Sequence, residues 1–233
     1  KVRFLRKAEF SQCIGYAKNI VSLGTSGFVM QLTNSLVTIC CNNVLSVTGG
    51  DIYISVMTIV SSVRQLVETP IYALTEGTSP ILSYNYGAKN RDRVKKAFRL
   101  LLTASLCYST ILWAFIMLFP QVFAEMFTSD SALLGFTKSA LRIYCACLLL
   151  FGIQIACQMA FTSFGKAKAS IAVAVTRKFI LLLPLIYLLP HILTENKTNA
   201  VYMAEPIADF LAVSFTTVLF TFQFRKVLKE LEG

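Results

Sequence analysis

Charge is scarce in this sequence. Asp, Glu, Lys and Arg make up 15% of its 233 residues, against about 25% in a soluble domain, which is too little to coat a surface that faces water on every side. Histidine is scarcer still, and the single His191 leaves no histidine-based metal set. The seven cysteines, at 13, 40, 41, 107, 145, 147 and 157, are scattered and odd in number, so they give no disulfide framework. Cys145 and Cys147 stand about 200° apart around a helix axis and cannot grip one metal together. A glycine-rich phosphate loop is missing too, which excludes an ATP-driven mechanism within this chain. The chain reads as a non-enzyme with no catalytic residue, no metal and no cofactor.

What is present is oil. Hydrophobic residues make up 55% of the chain, and the mean hydropathy is +0.64. This is the composition of an integral membrane protein whose first partner is the lipid bilayer. The formal charge of +10 would suggest nucleic acid only if Lys and Arg formed a patch on a water-exposed surface. They sit instead in short blocks between apolar runs, so no nucleic-acid partner is expected. Six apolar segments lie at about 20–46, 52–80, 97–119, 134–162, 170–190 and 201–223, each near the roughly 20 residues a helix needs to cross about 30 Å of hydrocarbon. Runs such as Ile180 to Leu189 do not alternate as barrel strands would. The fold class is therefore all-α, a polytopic membrane bundle of six transmembrane helices.

The basic residues orient it, because Lys and Arg are retained on the cytoplasmic side. Lys1, Arg3, Arg6, Lys7 and Lys18 precede the first span. Lys89, Arg91, Arg93, Lys95, Lys96 and Arg99 follow the second, Lys166 and Lys168 the fourth, and Arg225, Lys226 and Lys229 the sixth. The opposite connections, "TGGD", "PQVFAEMFTSD" and "HILTENKTN", hold Asp51, Glu125, Asp130 and Glu195 with only Lys197. Both ends of the chain are thus expected to be cytoplasmic, with a six-helix unit over 19–224 and a cytoplasmic tail over 225–233. In "YNYGAK", Asn85 and Gly87 tolerate left-handed backbone and suit a turn after the second span, with a new helix beginning in Arg91 to Arg99.

Ionisable residues within spans are the candidate sites, since each costs at least about 2.5 kcal/mol to insert. Arg64 and Glu68 are four apart on one helical face, either neutralising one another or, with Pro70 freeing the Leu66 carbonyl, offering a cation or proton site. Glu76 lies near the cytoplasmic boundary and reads as an interfacial charge or a further coupling candidate. Glu205 and Asp209 are again four apart, and two carboxylates facing one way in low dielectric make proton exchange chemically reasonable. Counting 1.5 Å per residue, Asp209 and Arg177 differ in depth by only about 6 Å, so a structural ion pair between them is the rival reading.

"GTSPILSYNYGAKNRDRVKKAF" resembles the loop signature of the multidrug and toxic compound extrusion (MATE) family, with Pro80, Tyr84, Asn85, Tyr86, Gly87 and Ala88 at its heart. "SFGKAKASIAVAVTRKFILLLPLIYLLPH" and "AEPIADFLAVSFTTVLF" resemble that family's later turn and spans in the same order. The resemblance implies one lobe, the carboxy-terminal one, of a transporter of about twelve spans in two six-helix lobes. It also implies that 1–18 is a cytoplasmic inter-lobe connection and that the amino-terminal lobe is the missing partner. Expected with it are multidrug efflux by a proton or sodium antiporter, hydrophobic cationic small molecules as cargo, alternating access and a bacterial cytoplasmic membrane.

The departures matter as much. Sodium-driven branches carry acids in the spans that match the first and fourth here, and neither holds Asp or Glu; the first offers Gln31, Asn34 and Asn42, the fourth Gln154 and Gln158. These amides either line a polar cavity or pair helices. Phe28, Met30, Phe161 and Tyr187 are candidates for a cargo cavity, although aromatics and Met at helical spacing more often serve as packing. A non-transporting or half-size membrane subunit, or an exporter of lipid-linked sugars, remains as an alternative.

Overall fold

The computed structural model describes residues 32–193 and 196–231. The chain divides into two compact units, Lys1–Ile39 and Cys40–Gly233. Of the first, only 32–39 are described, and they are helical. The connection expected over 1–18, together with Phe28, Met30 and Gln31, lies outside the described residues.

Helix α1 occupies 32–48. It is followed by α2 (Asp51–Gly87), α3 (Arg91–Leu118), the short α4 (Pro120–Glu125), α5 (Ser131–Tyr144), α6 (Phe151–Ser163), α7 (Ala167–Val175), a wide π turn over Thr176–Leu182, α8 (Leu183–Ile192) and α9 (Lys197–Glu230). No strand occurs among the described residues, in keeping with the rule that backbone polar groups in lipid must be satisfied within the segment or in a closed barrel.

Among the described residues, three helical runs are long and apolar enough to cross a membrane, Arg91–Leu118, Lys168–Ile192 and Lys197–Glu230. Ser131–Tyr144 and Leu148–Ser163 qualify together as a fourth, bent by 46°. The segment over 134–162 is longer than one crossing needs, so a tilt, kink or protrusion is expected; it bends, and α3 supplies the reason. Trp113 Nε1 donates to the Ala146 carbonyl at 2.9 Å and Ser109 Oγ to the Leu149 carbonyl at 2.8 Å, taking over backbone acceptors at the bend. Helix α2 has 37 residues, about 55 Å at 1.5 Å per residue, and runs through both Pro70 and Pro80.

The turn after α2 also differs from expectation. The helix continues through Tyr84, Asn85, Tyr86 and Gly87, and the left-handed residue is Lys89, with φ 53°. Asn90 N–H reaches the Asn85 carbonyl and Lys89 N–H the Tyr86 carbonyl, the paired closure that demands a left-handed residue two places after the last helical one. The same closure ends α6 with Gly165 in that place, at φ 68°. Within "PQVFAEMFTSD", expected as a connection, α4 forms. At the carboxyl end α9 runs on to Glu230, through most of the segment assigned to the tail.

Helix α6 packs against α2, α3 and α9. Its Gly152 lets α3 come so close that a Cβ there would lie 2.5 Å from the Ser105 carbonyl oxygen and 2.8 Å from Ser109 Oγ. In lipid, where excluding water no longer drives helices together, such close approach of small residues holds them. One turn from the α6 end, Phe98 stacks on Phe220 with centroids 4.6 Å apart, and Phe161 meets Phe220 at 5.3 Å. Phe161, which its sequence offered as a packing residue or a cavity wall, is 1% exposed in this aromatic core and packs; its face of α6 points at α9, and the rings fill the gap.

Candidate functional site

Five ionisable side chains from three elements meet inside the lobe. The i, i+4 spacing puts Arg64 and Glu68 on one face of α2, and Glu205 and Asp209 on one face of α9; Arg177 comes from the π turn. Arg64 Nε donates to Glu68 Oε1, its Nη2 donates to Asp209 Oδ2 at 2.7 Å, and its Nη1 lies 3.5 Å from Glu205 Oε1. Arg177 donates to Asp209 Oδ1 at 2.7 Å and to Glu205 Oε1 at 2.8 Å. Asp209 is therefore clasped between two guanidiniums, one on each oxygen.

Arg64, Glu205 and Asp209 are 5%, 6% and 5% exposed, while Glu68 and Arg177 are half-buried. Charges so removed from water persist only when paired and hydrogen-bonded. Within the bonded cluster two guanidiniums against three carboxylates leave one negative charge over when all are ionised, 2 − 3 = −1. The half-buried Lys178 of the same π turn stands in electrostatic range of Glu205 and Glu68 without an ion pair to either. The aromatic walls add to the cationic side: the Arg64 guanidinium carbon lies 5.5 Å from the Tyr144 ring centroid and 5.8 Å from that of Phe151, within reach of the ring quadrupoles. These two rings stand on either side of the α5–α6 bend, so the break in that span positions both.

The π turn has its own cause. Pro184 has no N–H to offer, and its ring crowds the carbonyl four residues back. Widening the preceding turn relieves this, and Leu183 N–H accordingly reaches the Lys178 carbonyl, five residues back. The wide turn carries Arg177, and π turns of this kind recur at functional sites.

Other candidates fall elsewhere. Glu76 is exposed, twelve residues or about 18 Å along α2 from Arg64. Asn34 is exposed on α1, its carbonyl accepting from Thr38 Oγ1 at 3.0 Å. Gln154 is buried, its Oε1 without a hydrogen-bond partner among the described residues, and Gln158 is half-buried. Tyr187 is exposed beside a shallow cavity that it shares with Asn43, Val47, Pro190 and His191.

The loop motif forms a clasp rather than a pocket. Pro80 and Tyr84 are exposed, while Asn85 turns inward and donates to the Ile81 carbonyl at 2.8 Å. Tyr86 packs on Phe164 with centroids 5.2 Å apart, and its hydroxyl donates to Glu230, which Lys166 also binds. Ser79 meets Ser163 Oγ at 2.9 Å and Ser83 donates to the Ser163 carbonyl. The motif ties α2 to the α6–α7 turn and to the end of α9. Gly87 and Ala88 only carry the chain out of the helix, a Cβ at Gly87 meeting nothing within 4 Å.

Sequence reasoning missed Tyr144, Phe151 and Pro184. Only Pro184, seven residues past an arginine inside an apolar run, left a readable signal.

The pattern of the MatE family matches residues 27–188. An FAD transporter of Shewanella oneidensis is 26% identical over 141 residues, which is 60% of this chain and 30% of that protein. Among solved structures, an inward-facing multidrug resistance MATE transporter of the MOP superfamily superposes with a TM-score of 0.84 at 22% identity, over 91% of this chain and 49% of that one. An outward-facing multidrug resistance MATE transporter gives 0.82, over 91% and 48%. A MOP superfamily transporter from Pyrococcus furiosus, described as having a binding pocket of reverse polarity, gives 0.81, over 93% and 48%. At such identity these likenesses carry the fold, and the chain spans about half the length of the structures it matches. The family match over 27–188, on an all-helical lobe with this superposition, makes the chain a member of the MatE family of membrane transporters.

Proposed function

We propose that this chain is the carboxy-terminal lobe of an exporter driven by a proton or sodium gradient, and that the Arg64–Glu68–Arg177–Glu205–Asp209 cluster is where the ion is felt. The single observation that carries this is the odd carboxylate. A buried cluster one negative charge in excess is relieved by one proton or one monovalent cation. Binding and releasing that charge biases two arrangements of the lobes, which is what alternating access requires.

The near-equal likeness to inward- and outward-facing structures, 0.84 and 0.82, supports a lobe that moves as a body. Both chain ends lie in the cytoplasm and the bilayer is the cell membrane in this reading, as the basic blocks suggest. The partner is an amino-terminal lobe. The cargo is a hydrophobic cation that binds between the two.

The test uses the complete protein in proteoliposomes under an imposed proton or sodium gradient. Glu68→Gln and Asp209→Asn, each at normal expression, are expected to lose gradient-driven transport at least tenfold. Transport at the original rate in both would remove the cluster from coupling. A second reading comes from the Shewanella oneidensis relative, named for FAD transport. Flavin uptake or release in the same liposomes, with no movement of cationic dyes, would select it.

A further inference from the structure

Of the buried polar atoms that lack a hydrogen-bond partner among the described residues, three stand on α2, α6 and α9: Nη1 of Arg64, which has only Glu205 Oε1 near it at 3.5 Å, Oε1 of Gln154 and Oγ1 of Thr216. Gln154 is 2% exposed and Thr216 0%. Two contacts fix how they lie. Phe161 meets Phe220 ring to ring, and Phe151 faces the Arg64 guanidinium that also holds Asp209. From Phe151 to Phe161 is ten residues of α6, and from Asp209 to Phe220 is eleven of α9, so the two helices run in step.

Gln154 lies two turns before Phe161 and shares its face, the one turned to α9. Thr216 lies two turns after Asp209 and one before Phe220, on the stripe turned to α6. At 1.5 Å per residue Gln154 stands about 5 Å, and Thr216 about 10 Å, from the charge cluster along the helix axes.

We propose that internal water bridges these three atoms and forms a polar column running from the cluster down the α6–α9 seam. The set is complementary: the guanidinium N–H donates, the amide oxygen accepts and the hydroxyl does either. A buried water needs two to four such partners, and polar atoms in a protein interior are rarely left bare. The column ends at the rings of Phe98, Phe161 and Phe220, so it is a side chamber of the cluster in which an exchanging ion keeps company with water. This rests on the reading of the cluster as the coupling site.

The test is X-ray hydroxyl-radical footprinting of the complete protein, reading oxidation of Cys157 and Phe161. Both are buried, at 3% and 1% exposed, and both adjoin the column, so they oxidise only if radicals form from internal water. Wild-type protein is expected to label at both. Gln154→Leu with Thr216→Val should cut that labelling at least fivefold, lower the melting temperature and slow gradient-driven transport about fivefold, while Thr216→Ser, which keeps the hydroxyl, should match the wild type.

The column is overturned if wild-type Cys157 and Phe161 stay unlabelled, or if Thr216→Val melts higher than wild type, since replacing a bare buried hydroxyl by a methyl stabilises. The two readings separate cleanly. Loss of transport in Glu68→Gln and Asp209→Asn beside column variants that label and transport normally would sink the column alone. Normal transport in the acid variants would sink the coupling reading, and the labelling would still judge the water.

Discussion

Replacing Arg64 by Met removes the one group that touches all three carboxylates, Glu68, Glu205 and Asp209. Arg177 then holds Glu205 and Asp209 alone, Glu68 loses its partner, and the charge of the bonded cluster goes from −1 to −2 at a site where Asp209 is 5% exposed. Breaking a buried ion pair by removing one partner costs about 3–5 kcal/mol. For a cooperative unit of this size about 1 kcal/mol moves the unfolding midpoint by roughly 2–4 °C, so Arg64→Met should melt about 6–20 °C lower. Adding Asp209→Asn returns the charge to −1 and should recover about 0.5–3 kcal/mol, the usual coupling between neighbours in one network. The assay is thermal unfolding of the complete protein in detergent with a thiol-reactive fluorophore, for which the buried Cys41, Cys145 and Cys157 are the reporters. A midpoint for Arg64→Met within 2 °C of wild type would refute the reasoning. So would a double variant that is destabilised by the plain sum of its parts.

Gly152→Ala puts a methyl against the Ser105 backbone oxygen, where no side chain can swing aside; about 1–3 kcal/mol of overpacking should lower the same midpoint, and an unchanged midpoint would mean α3 and α6 are further apart. Lys89→Gly relieves a side chain held at positive φ, a strain of about 1–2 kcal/mol partly offset by glycine's greater freedom when unfolded, so the midpoint should rise by a few degrees rather than fall. Pro184→Ala lets the π turn relax toward an α turn, which rotates Arg177 by about 100° relative to the helix beyond; transport should fall at least fivefold while the midpoint drops less than in Arg64→Met. Tyr86→Phe removes only a hydroxyl contact to a Glu230 that is 39% exposed, worth at most about 1 kcal/mol, so its midpoint should stay within a few degrees, whereas Tyr86→Ala also loses Phe164 and should fall further.

The helical class and the charged pairs were legible because both follow from spacing along one helix. Arg64 with Glu68, and Glu205 with Asp209, need only the 3.6-residue period, and depth counting brought Arg177 near Asp209, where the structure bonds them at 2.7 Å. The contact of Arg64 with Asp209 was not legible, because it joins positions 145 residues apart and depends on how α2 and α9 cross. That the segment over 134–162 is too long to cross straight was legible from its length, but the place of the bend after Tyr144 was not, because Trp113 and Ser109, which cause it, sit on another helix. The turn after α2 misled in a different way. Asn85 and Gly87 are the residues that tolerate a left-handed backbone best, but the helix had hydrogen-bond partners to spare for one more turn, and the strained position fell on Lys89. Phe161 carried two readings, core packing and cavity wall, because its chemistry suits both, and its burial decides for packing.

The stacked rings of Phe98, Phe161, Phe220 and Phe224 also bear on what the lobe must not do. In the proposed reading, a device that spends an ion gradient on export has to be a good insulator everywhere except at its working site. Rings 4.6–5.3 Å apart leave no room for a file of water between them, so the lobe's own interior is closed to leakage at that end. On that reading, any ion that crosses has to pass by way of the interface with the proposed second lobe. Trimming one ring to alanine would open a short circuit, seen as gradient decay in liposomes with no cargo present.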